Sequence, residues 1–112
     1  METAECFLCT RVANPNEDDW QKLESCLRFI NSTREAKRII GRNDITTMKT
    51  FIDASYAVHP NMRGHTGGAI SFGDGIVHGK ASKQKINIKS STECELAGVS
   101  EYMPYSLWLG HF

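Results

Sequence analysis

The feature that most constrains this chain is an aspartate set in the middle of an apolar, strand-like run, Thr50-Phe51-Ile52-Asp53-Ala54-Ser55-Tyr56-Ala57-Val58. Side chains alternate along a strand, so Phe51, Asp53 and Ser55 share one face while Ile52, Ala54, Tyr56 and Val58 share the other. The run reads as a buried strand, and a carboxylate there is costly unless a cation, a hydrogen-bond network or water meets it. Further along, Lys89-Ser90-Ser91-Thr92-Glu93-Cys94-Glu95-Leu96 opens a helix and puts Glu95 in its first turn. The turn-rich residues between the two read as two further strands. The order is a carboxylate strand, an antiparallel meander, then a helix with a second carboxylate.

The 112 residues suit one domain or a piece of one. Thirteen basic and thirteen acidic residues balance, so any nucleic-acid partner has to be read from local clusters rather than from net charge. No apolar run approaches the roughly 18 residues of a membrane span, and the N-terminus lacks the basic-then-apolar pattern of a signal peptide. The expected location is intracellular, with no membrane partner. Asn31-Ser32-Thr33 matches a glycosylation sequon, which without a secretory route reads as a helix-end loop.

Cys6 and Cys9 form a CxxC on a helix-like segment, with Cys26 and Cys94 elsewhere. A zinc site needs a second ligand pair, and His59, His65, His78 and His111 lack ligand spacing. Buried free thiols are the better reading.

Taken in order, residues 4–13 predict a short helix broken at Asn14-Pro15. Asn16 then caps a second helix, with Glu17, Asp18 and Asp19 offsetting the positive end of its dipole. Trp20, Leu23, Leu27 and Ile30 recur at helical spacing and predict a core-facing stripe, ending near Asn31-Ser32. Lys37 to Gly41 suggests a short strand, and Arg42-Asn43-Asp44 a turn. His59 to Gly64 is a loop. Thr66 to Phe72 reads as a strand in which Gly67-Gly68 implies a bulge or a close backbone approach. Gly73-Asp74-Gly75 is a hairpin signal, which makes Asp74 a turn residue, and Ile76 to Ala81 returns.

Lys80, Lys83, Lys85 and Lys89 follow within ten residues. They read either as a solvated loop or as an edge that holds a nucleic-acid backbone without reading its sequence. The last helix opens on two overlapping capping patterns, Ser90-x-x-Glu93 and Thr92-x-x-Glu95, and the second offers Glu95 a merely structural role. Leu96, Val99, Met103 and Leu107 predict its buried stripe, with Pro104 interrupting. Trp108 and Phe112 also read as core-facing.

Two stretches carry a family resemblance: Phe51 through Gly68 (FIDASYAVHPNMRGHTGG) and Ser82 through Leu96 (SKQKINIKSSTECEL). Both resemble the ribonuclease H domain of copia-type LTR-retrotransposon Pol polyproteins. Phe7 to Val12 and Asp18 to Leu23 are similar to the connection that follows the reverse transcriptase in the same polyproteins. The resemblance implies residues 1–45 as connection and 46–112 as a truncated ribonuclease H-like domain. The implied fold is α/β: the N-terminal half of that fold, a three-stranded antiparallel meander plus the first helix, preceded by an amphipathic helix.

The activity so implied is hydrolysis of the RNA strand of an RNA–DNA hybrid by two Mg²⁺ (or Mn²⁺) ions held by four carboxylates. Asp53 matches the first carboxylate and Glu95 the second. The third and fourth would fall beyond Phe112, and Asp44, Asp74 and Glu101 do not take their places. Cys94 stands where the family has a small residue, and the tail from Gly110 departs from the family's pattern. The expectation is a Pol fragment that binds metal weakly, does not cleave alone, and has a complementing C-terminal half as a possible partner. The rival is a non-catalytic nucleic-acid-binding or protein-interaction module.

Overall fold

Proline has no backbone donor, and the first helix stops well short of Pro15: α1 spans Glu2–Cys9, and turns carry the chain to Asn16. In this computed structural model, which describes residues 1–41 and 46–112, α1 and helix α2 (Glu17–Thr33) make up one compact unit, Met1–Arg38. Asn16 closes a full capping box. Its side chain accepts from the Asp19 N–H at 2.8 Å, and the Asp19 carboxylate accepts from the Asn16 N–H at 3.1 Å. Arg11 Nε also donates to Asp19, at 3.0 Å. Burial pushes the Asp19 carboxyl up, but the bonds from Asn16 and Arg11 outweigh it and hold the group below its usual range.

The expected core stripe of α2 is a correction. Trp20 is 64 % exposed, and Leu23, Leu27 and Ile30 are exposed with it. They line an open groove of about 490 Å³ with Met1, Leu8 and Val12. α1 is too short to cover so wide a stripe.

The second unit, Ile39–Phe112, holds β1 (Met48–Ser55), β2 (His65–Phe72), β3 (Ile76–Lys83) and α3 (Ser91–Leu109). The strands form one antiparallel sheet in the order β1-β2-β3. The chain is thus α/β, with a three-stranded antiparallel meander followed by a helix. The strand suggested at Lys37–Gly41 is absent; Gly41 instead donates one backbone bond to the Asp74 carbonyl. The turn expected at Arg42-Asn43-Asp44 lies outside the described residues.

β1 is shorter and more open than its sequence suggests. It ends at Ser55 because Ala57 turns into the left-handed region at φ 54°, so Tyr56 and Val58 leave the strand. It is also an edge strand, half-buried on alternate residues only. The glycine pair in β2 is a close approach, and the ladder irregularity falls at Ile70/Ser71 instead. A Cβ on Gly68 would lie 2.2 Å from the Tyr102 ring, whereas one on Gly67 would meet nothing nearer than the Asp53 carbonyl at 4.0 Å.

α3 packs by a different face from the one its large apolar residues mark. Cys94, Ala97, Gly98, Tyr102 and Ser106 are buried, while Leu96 is 70 % exposed and Val99, Met103 and Leu107 are exposed too. The reason is distance. A Cβ on Gly98 would sit only 3.1 Å from the Ala54 Cβ, so the helix rests on the sheet through small residues that Leu or Met would push away. Thr50 and Ser106 share a hydroxyl hydrogen bond of 2.9 Å along the same seam. The helix runs on through Pro104, and the unbonded Ser100 region faces solvent. Trp108 and Phe112 are exposed and pack edge-to-face on each other, 4.9 Å between ring centroids.

Candidate functional site

The two carboxylates singled out by sequence occupy the elements expected of them, and both are exposed. Asp53 sits on β1 opposite Gly67. Its neighbour Ala54 is the residue that meets Gly98 of α3, so Asp53 projects from the sheet face that α3 does not cover. Glu95 is not a capping partner: Ser90 is the N-cap and accepts from the Glu93 N–H at 3.2 Å, while the Glu93 carboxylate takes the Lys89 N–H at 2.9 Å. Among the described residues, no three His, Cys, Asp or Glu side chains come together in a way that could hold a metal ion.

The lysine run is more organised. β3 brings Lys80 and Ser82, paired with Gly68 and Thr66, to the face that α3 covers; Lys83, paired with His65, has the other parity, and Lys85 follows from the connecting loop. With Thr66, Glu101, Tyr102 and Tyr105 they line a pocket of about 220 Å³. Lys89 does not reach it. Lys80 donates to the Tyr105 hydroxyl, and its ammonium lies 4.4 Å from the centre of that ring. His78 stacks on Tyr105 at 5.4 Å and meets the Tyr102 hydroxyl at 3.0 Å.

Below the pocket lies a polar chain that sequence reasoning missed. Gln84 is completely buried; its amide donates to Thr66 Oγ1 and to the Cys94 carbonyl, both at 3.0 Å, and its Oε1 accepts from the Cys94 thiol at 3.2 Å. Thr66 in turn donates to the Glu101 carboxylate at 3.3 Å. Burial, helped by the Glu95 and Glu101 charges, pushes the Cys94 thiol up, so it is a poor nucleophile.

A second buried cluster joins the loop after β1 to the start of β2. His59 Nε2 and His65 Nδ1 lie in hydrogen-bond contact at 3.1 Å, the tautomers setting which one donates, and both rings are buried. Burial pushes both imidazoles below their ordinary range, and Lys83 and His65 add to the effect on His59. In the sequence His59 stands only as part of a loop, and nothing marks His65 as its partner.

The chain is similar to the secreted RxLR effector protein 161 of Plasmopara viticola, with 29 % identity over 99 residues that span 88 % of this chain and 70 % of that protein. No protein-family model matches the chain. No solved structure matches it. Among the described residues, no helix is long and apolar enough to cross a membrane.

Proposed function

We propose that this chain is a retrotransposon-derived, ribonuclease H-like unit that binds the backbone of nucleic acid and does not cleave it alone. The observation that carries the reading is the pocket between β3 and α3, whose lining includes Lys80, Lys83 and Lys85. Lysines around one recess suit phosphate oxygens, and they grip without reading bases. The ancestry rests on the two motifs around Asp53 and Glu95 and on their setting, an antiparallel meander leading into a helix. In that ancestry the pair belongs to a Mg²⁺ or Mn²⁺ site that hydrolyses the RNA strand of a hybrid.

The residues present do not fit such a site. Asp53 projects from the sheet face away from α3, the helix that bears Glu95, and no third ligand is grouped with them among the described residues. Mg²⁺ demands near-octahedral oxygen ligation, which two separate carboxylates do not supply. No hydrolytic step is therefore assigned to this chain.

The test has two arms. Incubation with an RNA–DNA hybrid in Mg²⁺ or Mn²⁺ leaves the RNA intact; cleavage that disappears in Asp53→Asn would overturn the non-catalytic reading. Hybrid binding, followed by fluorescence anisotropy, weakens steeply with salt and is abolished by the double change Lys83→Glu and Lys85→Glu. Binding that ignores both would sink the backbone-binding reading.

The similarity to a secreted effector supports a second reading, a secreted interaction module. Recovery of the tagged, expressed protein from culture medium rather than from cells would favour it.

A further inference from the structure

We propose that the apolar face of α2 is a self-docking surface: two copies of the chain pair antiparallel along Trp20, Leu23, Leu27 and Ile30 and form a twofold dimer. The inference is independent of the nucleic-acid reading and concerns the Met1–Arg38 unit alone.

Four large apolar side chains exposed in one row mark an association site rather than a finished surface. Their spacing says what kind of partner suits them. Trp20, Leu23, Leu27, Ile30 and Arg34 follow one another at three, four, three and four residues, the rhythm of a helix that packs lengthwise against another helix. Within the unit that rhythm goes unanswered. α1 is only eight residues long and flanks the row, so the groove of about 490 Å³ stays open. A partner helix laid into it would make the α1–α2 pair one half of a four-helix arrangement.

The row and its charges point to a second copy of α2 as that partner. Turned end for end about the point midway between Leu23 and Leu27, the row maps onto itself. Trp20 meets Ile30 of the second copy, Leu23 meets Leu27, and each contact occurs again in reverse. That is the self-complementarity a twofold interface requires. The charges at the two ends agree with this direction. Asp18 and Asp19 are taken up by Lys22 and Arg11, whereas Glu17 has no ion pair among the described residues. At the far end Arg34 has only its exposed neighbour Glu35, at 3.5 Å. Antiparallel pairing brings Glu17 of each copy beside Arg34 of the other. Parallel pairing would set Glu17 against Glu17 and Arg34 against Arg34, like charges facing each other.

The experiment is sedimentation equilibrium on the full chain carrying Phe51→Lys, because the open edge of β1 offers a separate route to association. That protein sediments with the mass of two chains. Leu27→Glu, at a position 57 % exposed and so harmless to the fold of one copy, raises the dimer Kd about a hundredfold or more, since a twofold interface carries every substitution twice. Glu17→Arg and Arg34→Glu each weaken the dimer about tenfold, the two together restore it, and high salt flattens the differences. Circular dichroism confirms that helix content is unchanged in every variant. A Phe51→Lys protein that stays monomeric up to about 100 μM would overturn the inference. So would a dimer that tolerates Leu27→Glu but is broken by Met103→Glu, which would put α3 at the interface. Failure of the double charge exchange to restore what each single change loses would overturn the antiparallel pairing. The nucleic-acid reading stands or falls separately from all of these outcomes.

Discussion

Replacing Gly68 by alanine isolates the contact that seats α3 on the sheet. The new methyl would fall 2.2 Å from two carbons of the Tyr102 ring, and that ring, 2 % exposed, has no room to retreat. Overpacking of a filled core costs about 1–3 kcal/mol. If the ring tilts to relieve it, the 3.0 Å bond between the Tyr102 hydroxyl and His78 goes too, adding about 0.5–1.5 kcal/mol. For a unit of this size each kcal/mol is worth about 4–8 °C in Tm. Gly68→Ala therefore lowers the melting temperature by about 4 °C at least. Gly67→Ala is the internal control: its methyl points at open space, and removing a flexible strand glycine is neutral or stabilises by up to about 1 kcal/mol. A Tyr102→Ala change made on top of Gly68→Ala relieves the clash, so the double variant loses less than the two singles together. Circular-dichroism melts of the parent, the three single variants and the double variant decide the matter. A Gly68→Ala protein that melts with the parent, or a Gly67→Ala protein equally damaged, would refute this account of the packing.

Two further outcomes follow from features of the same unit. Because burial holds His59 and His65 below their unfolded values, the unfolded chain binds more protons as pH falls through the ordinary imidazole range; stability is fully present above that range and drains away on descending from the unfolded pKa to the folded one. Urea melts across that range would show the loss, and an unchanged midpoint would contradict it. The outer edge of β1 carries unpaired backbone groups beside the exposed Phe51, so the chain self-associates through it, and Phe51→Lys suppresses the association. A strictly monomeric parent in analytical ultracentrifugation would rule this out.

The local signals were the legible part of the sequence. Asn16 and Ser90 cap their helices as their positions suggest, and Gly73 and Gly75 supply the positive φ of the hairpin that Asp74 tips. Alternation correctly set Phe51, Asp53 and Ser55 on one face of β1. What failed was the inference that large apolar residues mark the packing face. In α3 the sheet lies so near that Cys94, Ala97 and Gly98 fit against it, and Leu96, Val99 and Met103 are left outside. Periodicity reports that a helix has two sorts of face; it does not report the distance to what it meets. The lysines were visible as a run, but not which of them share a recess, because β3 and α3 bring Glu101 and Tyr105 to Lys80 and Lys83 from far along the chain. Gln84 gave no signal, since a single glutamine in a polar stretch is ordinarily a surface residue.

Gln84 also makes the seating of the helix depend on the sheet. The three strands are joined by short connections and pair with their sequence neighbours, so hairpins can close within about 1–10 μs. Seating α3 on the sheet ties its first turn to β2 through an amide that has to lose its water and find Thr66, the Cys94 carbonyl and the Cys94 thiol together. Docking of the helix thus includes the desolvation of one side chain. A ribosome that has released the strands but still holds α3 in its tunnel would carry a bare meander with both faces wet. For that interval the chain's exposure to chaperones and proteases is governed by how fast residues 84–94 emerge.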